Sequence, residues 1–209
     1  MFELEWLAGF VVASGLLILS PGPDNLYVVA QSARNGLSSG IWLTLGLCSG
    51  LLGHTLAVVM GVAVFIQSSP LAFVALKMLG AGYLIYLAWQ LWRSNNTENP
   101  AQQAPTLHAR QLYWRGVVMN LSNPKVTLFF LAFLPQFTQA DTAPIGVQLT
   151  LLGLLFALLA LVMFSSFAWL ASRRGLRHLL SAKKQILMER LLGVIFVALA
   201  LRLLWFEAL

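Results

Sequence analysis

Long apolar stretches separated by short polar connections run through the whole chain. Six such stretches can be recognised, and each reaches the roughly 20 residues that a helix needs to cross the hydrocarbon core of a bilayer. They are Leu7–Ala33, Ser39–Ile66, Pro70–Trp92, Gly116–Phe137, Ile145–Ala171 and Leu187–Phe206. A membrane-spanning segment must satisfy its own backbone polar groups, and barrel strands are shorter and alternate in polarity. The pattern therefore predicts an all-α integral membrane protein with six transmembrane helices.

The composition supports a membrane protein and excludes several classes of site. The chain is 59% hydrophobic and 10% charged, with a mean hydropathy of +0.79, whereas soluble domains are about 45–50% apolar and about 25% charged. The single cysteine, Cys48, excludes an internal disulfide. No Cys/His cluster has metal-ligand spacing and no glycine-rich phosphate loop is present, so we predict no metal and no cofactor. The acidic start, MFELEW, lacks the basic region of a signal peptide.

The basic residues are concentrated in alternate connections between the apolar stretches. Ten of the 13 lie there: Arg34, Arg93, Arg110, Arg115, Arg173, Arg174, Arg177, Lys183, Lys184 and Arg190. Cytoplasmic loops of membrane proteins carry an excess of Lys and Arg. The distribution therefore predicts that these connections are cytoplasmic and that both termini are outside. The net charge of +6 is explained by orientation in the membrane, and we predict no nucleic-acid partner.

A polar connection near the middle divides the chain into two similar parts. The segment 94–114, which contains "SNNTENPAQQAPT", is interpreted as a flexible cytoplasmic linker between a repeat at 1–93 and a repeat at 115–209. Each repeat holds three apolar stretches, and an odd number forces the second repeat to enter the membrane from the opposite side. The prediction is a 3+3 inverted repeat forming a single transport domain, a common plan of secondary transporters.

The first and fourth apolar stretches, which correspond in the two repeats, are each interrupted near the middle. The interruptions are "ILSPGPDNLYVV" at 18–29 and "NLSNPKVTLFF" at 120–130. Proline disfavours helix in the residue before it and suits the first helical position. A half-helix is therefore predicted to start at Pro21 or Pro23, and another at Pro124. Both breaks are predicted to lie at the midplane, where helix N-termini favour anions.

Each break carries an ionisable residue, Asp24 in the first and Lys125 in the second. Charges at the membrane centre are costly and usually functional. One interpretation is a structural ion pair between the repeats. The other is a site for a zwitterion, in which Asp24 attracts an ammonium while Lys125 and the half-helix N–H groups attract a carboxylate. The two can alternate. The predicted substrate-binding residues are Pro21, Gly22, Pro23, Asp24, Asn25, Asn120, Asn123, Pro124 and Lys125.

His54 lies near the middle of the second apolar stretch. It can relay a proton near neutral pH, which makes it a candidate for proton coupling together with Asp24. Alternatively, it makes an interhelical hydrogen bond. It belongs to a face of small residues that favours close helix packing, either within one protomer or across a homodimer. That face consists of Gly46, Gly50, His54, Ala57 and Gly61.

The motif pair of SPGP and NPK, each in its own span, resembles the LysE/RhtB family of bacterial amino-acid exporters. The likeness extends from Trp6 to about Trp205 and includes "LKMLGAGYLIYLAWQLWR". The family's PGP falls on Pro21, Gly22 and Pro23, and its NPK on Asn123, Pro124 and Lys125. The resemblance implies a multi-pass protein of the bacterial inner membrane that exports amino acids or close derivatives, such as lysine, threonine, homoserine, homoserine lactone or leucine, by proton antiport.

The functional prediction is a secondary transporter that exports an amino acid by alternating access around a midplane site. Its partners would be this small-molecule substrate and the lipid bilayer. The alternatives are an exporter of a cation or another small metabolite, and a membrane-embedded enzyme. The membrane interior offers one Asp, one His and one Cys, which is few for a metal site. No nucleophile–base pair or metal cluster points to catalysis, so we predict no enzymatic activity.

Overall fold

The computed structural model describes residues 4–20, 22–68, 70–93, 105–139, 142–173 and 182–205. These ranges contain α-helices and no strands, which confirms the all-helical prediction for them. The α-helices are α1 (Leu4–Leu19), α2 (Pro23–Asn35), α3 (Leu37–Ser68), α4 (Pro70–Arg93), α5 (Ala109–Leu121), α6 (Pro124–Leu128), α7 (Ile145–Ser172) and α8 (Ala182–Trp205). A π-helical turn at Phe129–Phe133 and a 3₁₀ turn at Leu134–Phe137 continue α6.

Within the described residues, between two and four segments are long and apolar enough to cross a membrane. Leu37–Gly61 in α3 and Ile145–Ser172 qualify as single helices. Two bent pairs also qualify if each is one span: α1 with α2, bent by 60°, and α5 with Pro124–Phe137, bent by 50°. Helices α4 and α8 have 24 residues each. The six-span 3+3 arrangement and its division at 94–114 stay predictions.

Both breaks begin their second helix at a proline. Helix α2 starts at Pro23 after an extended Gly22, and α6 starts at Pro124 after Asn123. Of the two predicted starts in the first break, the structure uses Pro23, while Pro21 lies outside the described residues. A proline fits the first helical position because its fixed φ suits the helix and its missing N–H would have no partner there.

Helix α5 begins at Ala109, earlier than the predicted span start at Gly116. The Gln111 side chain accepts a hydrogen bond from the His108 backbone N–H at 3.0 Å, a contact that stabilises a helix start. The last residues of the predicted 94–114 linker are therefore helical. The earlier start also places the second break between two segments of similar length.

Helix α3 is central and packs along both α5 and α7, while α2 packs on α7 and α4 packs on α8. The α3–α5 contact is close: a Cβ on Gly46 would strike the Tyr113 carbonyl, and a Cβ on Gly116 would strike the Leu43 carbonyl. The predicted small-residue face is therefore used within the chain over this part. Its far end at Ala57 and Gly61 is exposed, and a homodimer through it stays a prediction.

The start of the second half is also held against α2. The side-chain amides of Gln31 and Asn35 both donate to the Pro105 carbonyl at 3.1 Å. The Arg115 guanidinium lies 4.6 Å from the centre of the Tyr27 ring, within the range of a cation–π contact. These contacts fix α2 beside α5, and they bring the two breaks together.

Candidate functional site

The two breaks meet at a small cavity with a volume of about 20 Å³. A cavity of this size holds about one water molecule and is several times too small for an amino acid. Its polar lining comes from the breaks: Gly22, Asp24, Asn25, Asn120, Asn123 and Lys125. The structure thus brings together these six predicted site residues. Pro23 and Pro124 are exposed and act as helix starts.

Asp24 is buried in the first turn of α2, with 4% of its surface exposed. Its Oδ2 accepts a hydrogen bond from Asn120 Nδ2 at 3.2 Å, while its Oδ1 is buried without a partner. The positive end of the α2 dipole stabilises the carboxylate. Buried polar atoms are nearly always hydrogen-bonded, so Oδ1 is an unpartnered acceptor in a residue that lines the cavity.

The Lys125 ammonium donates to the Ser20 carbonyl at 2.7 Å instead of pairing with the Asp24 carboxylate. Ser20 follows the last residue of α1, where backbone carbonyls lack helical partners and carry partial negative charge. The predicted approach of Asp24 and Lys125 is therefore indirect. Each charge is held by the opposite break, Asp24 by the Asn120 amide and Lys125 by the Ser20 backbone.

Asn25 and Asn123, which lie near the prolines of the two breaks, hydrogen-bond to the backbone at helix ends. Asn25 Nδ2 donates to the carbonyls of Ile18 at 2.6 Å and Ser20 at 3.1 Å, which caps the end of α1. Asn123 Oδ1 accepts from the Lys125 backbone N–H at 3.0 Å, which caps the start of α6. Both side chains border the cavity, and their predicted contact with a substrate stays a prediction.

His54 makes the interhelical hydrogen bond that was one of its two interpretations. Its Nε2 lies 3.1 Å from the Asn120 carbonyl oxygen, and since a carbonyl only accepts, Nε2 carries the proton. Asn120 is 1% exposed and is bonded to α2 through Asp24 and to α3 through His54. It is the residue that connects three helices at the site.

Sequence reasoning missed two parts of the site. One is the Ser20 carbonyl, a backbone group whose only signal was its place just before the break. The other is the hydrocarbon wall, which α3 and α7 contribute from distant parts of the chain: Leu51, Phe156, Ala160 and Phe164. Leu17 also lines the cavity and borders a second one of about 10 Å³, whose aromatic residues are Tyr83, Phe129 and Phe133.

Comparison with known proteins gives a consistent result. The family model of the LysE type translocator matches residues 16–206. The homoserine/homoserine lactone efflux protein of Salmonella typhimurium is 32% identical over 169 residues, covering 81% of this chain and 82% of the relative. The leucine efflux protein of an Enterobacter species is 30% identical over 196 residues, covering 93% and 92%. An uncharacterized membrane protein of Pseudomonas aeruginosa is 34% identical over 163 residues, covering 75% and 74%. No solved structure matches the chain.

Proposed function

The chain belongs to the LysE type translocator family, and on that basis we propose that it exports an amino acid, or a close derivative, from the cytoplasm. The named relatives are efflux proteins for homoserine, homoserine lactone and leucine. The observation that carries the proposal is that Asp24, with one unpartnered carboxylate oxygen, and Lys125 line the same cavity without pairing with each other. Opposite charges at the membrane centre fit a zwitterion, whose ammonium goes to Asp24 and whose carboxylate goes to Lys125.

The other walls of the cavity favour a substrate without a second charge. Leu51, Phe156 and Phe164 present only hydrocarbon, and an additional charge against them would lack a partner. A metal exporter would need several carboxylate, imidazole or thiolate ligands. The described residues contain no group of three or more His, Cys, Asp or Glu that could hold a metal ion, so the amino acid is the better-supported substrate.

Because the cavity is too small for an amino acid, we propose that the protein opens to admit it and works by alternating access around this site. Helix packing supports an underlying inverted repeat, because the middle spans α3 and α7 pack on each other, as do the last spans α4 and α8. The α3–α5 contact has its counterpart in the contact of α7 with α1. A two-fold axis in the membrane plane would produce this set of contacts. Movement of one three-helix repeat against the other would open the cavity to each side in turn.

We place proton coupling at the same site, with Asp24 as the first candidate and His54 as the second. The buried carboxylate with one open oxygen can hold a proton when the substrate has left. His54 is connected to Asp24 through the two hydrogen bonds of Asn120. Proton entry on one side and substrate exit on the other would amount to antiport.

We propose a bacterial inner-membrane location with both termini periplasmic, because ten Lys and Arg residues occupy alternate connections. A reporter enzyme that works only in the periplasm, fused after Leu209, should be active. Activity of a cytoplasmic reporter at the same position would overturn the orientation and the inverted repeat with it.

Transport in everted membrane vesicles tests the function. Vesicles containing the protein should accumulate at least one radiolabelled amino acid from a panel that includes leucine and homoserine, and a proton gradient should increase the accumulation. Asp24→Asn should remove it while the protein still reaches the membrane, whereas Arg93→Met, which removes an exposed cation outside the cavity lining, should not. Vesicles that accumulate metal ions but no amino acid would support the alternative.

A further inference from the structure

The Lys125 ammonium lies against the backbone of the first break, at the Ser20 carbonyl and beside Gly22. We call this position the ammonium cradle. The acceptor, the Ser20 carbonyl, also accepts from Asn25. Gly22 stands beside it, since a Cβ built on Gly22 would lie 3.5 Å from Nζ. Asp24, whose Oδ1 has no hydrogen-bond partner, lines the cavity that Lys125 also lines. A carbonyl at a helix C-terminus with a carboxylate in the adjoining cavity makes a site for an alkylammonium group.

We propose that Lys125 occupies, in this conformation, the position that the ammonium group of the substrate takes during transport. The inference rests on the proposed function, and it deepens that function by giving Lys125 two successive partners. Without substrate, the ammonium binds the Ser20 carbonyl. With substrate, it moves to the substrate carboxylate and leaves the Ser20 carbonyl to the incoming ammonium, with the Asp24 carboxylate in the lining of the same cavity.

The size and charge of the site support this exchange. A cavity of about 20 Å³ has no room for a second alkylammonium while Lys125 is in place. Lysine carries a compact charge on a flexible four-carbon stem, so the group can swing without movement of the backbone. Once it leaves Ser20, however, its charge needs a new partner in a low-dielectric surrounding.

The exchange makes Lys125 a specificity-determining residue. A zwitterion supplies both groups that the exchange requires, an ammonium for the cradle and a carboxylate for the displaced lysine. A simple amine supplies only the first and would leave the lysine charge unpaired. The protein should therefore reject amines that lack a carboxylate, even though its cradle binds ammonium groups.

Chemical rescue in the purified full-length protein tests the inference. Lys125→Ala removes three methylenes and the amine, which are the heavy atoms of n-propylamine. Thermal unfolding is followed against increasing n-propylammonium chloride, with n-propanol to control for the apolar part. Lys125→Met, which keeps an unbranched stem and removes only the ammonium nitrogen, is tested with ammonium chloride. Wild type and Arg93→Met, which removes an exposed cation, are the matched controls.

The expected result is that both Lys125 variants bind their ammonium probe about tenfold or more tightly than the controls do, as a charge-assisted hydrogen bond allows. Adding Asp24→Asn to Lys125→Ala should weaken that binding. Equal response of wild type and variants would overturn the inference. So would the lack of a cooperative transition in both variants with amine present, because Lys125 would then be a permanent tie between the breaks.

The two proposals fail separately. If vesicles export an amino acid but the Lys125 variants gain no amine binding, the exporter stands and the exchange is wrong. If the variants gain amine binding but no amino acid is transported, the ammonium cradle stands and the proposed function is wrong.

Discussion

The two helix breaks have the same sequence plan but are completed in different ways. The second break caps itself, because Asn123 accepts from the Lys125 backbone N–H two residues later. The first break has Gly22 at the corresponding position, which has no side chain to cap α2. Its α1 end is completed by Asn25, which reaches back to Ile18 and Ser20, and by Lys125 from the other half of the chain.

The difference assigns different roles to the two breaks. The first supplies acceptors, namely the backbone carbonyls at the end of α1 and the open carboxylate oxygen of Asp24. The second supplies donors, namely the Lys125 ammonium and the Asn120 side-chain N–H, besides one unpartnered acceptor, Asn120 Oδ1. In this conformation the donors of the second break bind acceptors of the first. Under the proposed function, a zwitterion that enters between the breaks would replace both sets of contacts.

The largest expected effect comes from exchanging the two charges. In the double variant Asp24→Lys, Lys125→Asp, transport into everted vesicles should fall to the level of vesicles without the protein. The new lysine would face the positive end of the α2 dipole, which costs about 0.3–1 kcal/mol. The new aspartate would face the Ser20 carbonyl, an acceptor against an acceptor. Each buried acceptor left unpaired costs about 1–3 kcal/mol.

The single variant Asp24→Asn controls for loss of the carboxylate alone, and membrane insertion is checked by immunoblot for every variant. If the exchanged pair transports as well as wild type, the two breaks are interchangeable. The charges would then only hold the two halves of the chain together, and the substrate would bind at another site.

A smaller effect should separate the two asparagines. Asn25→Ala removes the side-chain donor to the Ile18 carbonyl and leaves Ser20 with the Lys125 ammonium, so we expect a loss of about 1–3 kcal/mol in the free energy of unfolding. Asn123→Ala removes a helix N-cap, which costs typically about 1 kcal/mol. Thermal unfolding of the purified variants, followed by tryptophan fluorescence, measures the difference.

The two variants serve as each other's control, because each removes one asparagine side chain that caps a helix end at a break. The reverse order of stability would show that the first break does not depend on Asn25. An Asn25→Ala protein with wild-type stability and weakened substrate affinity would identify Asn25 as a substrate contact instead of a cap.

The sequence predicted what is local to each break and missed what the packing assembles. Proline after Asn123 placed the second half-helix start, and the two prolines of the first break limited its start to Pro21 or Pro23, since proline acts on its immediate neighbours. The charges of Asp24 and Lys125 marked the site because hydrocarbon tolerates few charges. The acceptor of Lys125 could not be read from the sequence, because a backbone carbonyl has no residue-type signal and lies far away in the chain.

The hydrocarbon wall was missed for a related reason. Leu51 and Phe156 are two apolar residues among many in α3 and α7, and only the close packing of those helices brings them to the cavity. The start of α5 at Ala109 was also missed, because the polarity of that segment suggested a linker while Gln111 stabilised a helix.

The smallest expected effect concerns His54, which supports the second break from α3. Its Nε2–H donates to the Asn120 carbonyl at 3.1 Å, and a glutamine offers an amide N–H donor at a similar reach. If this bond is its role, His54→Gln should keep both downhill exchange and uphill accumulation within about twofold of wild type, or about 0.4 kcal/mol. His54→Leu should lower both, because it leaves the second break without that donor. Parallel assays with and without a proton gradient measure the two activities. Loss of uphill accumulation alone in His54→Gln would instead make His54 the proton carrier, and the second break would then supply the coupling as well as the donors.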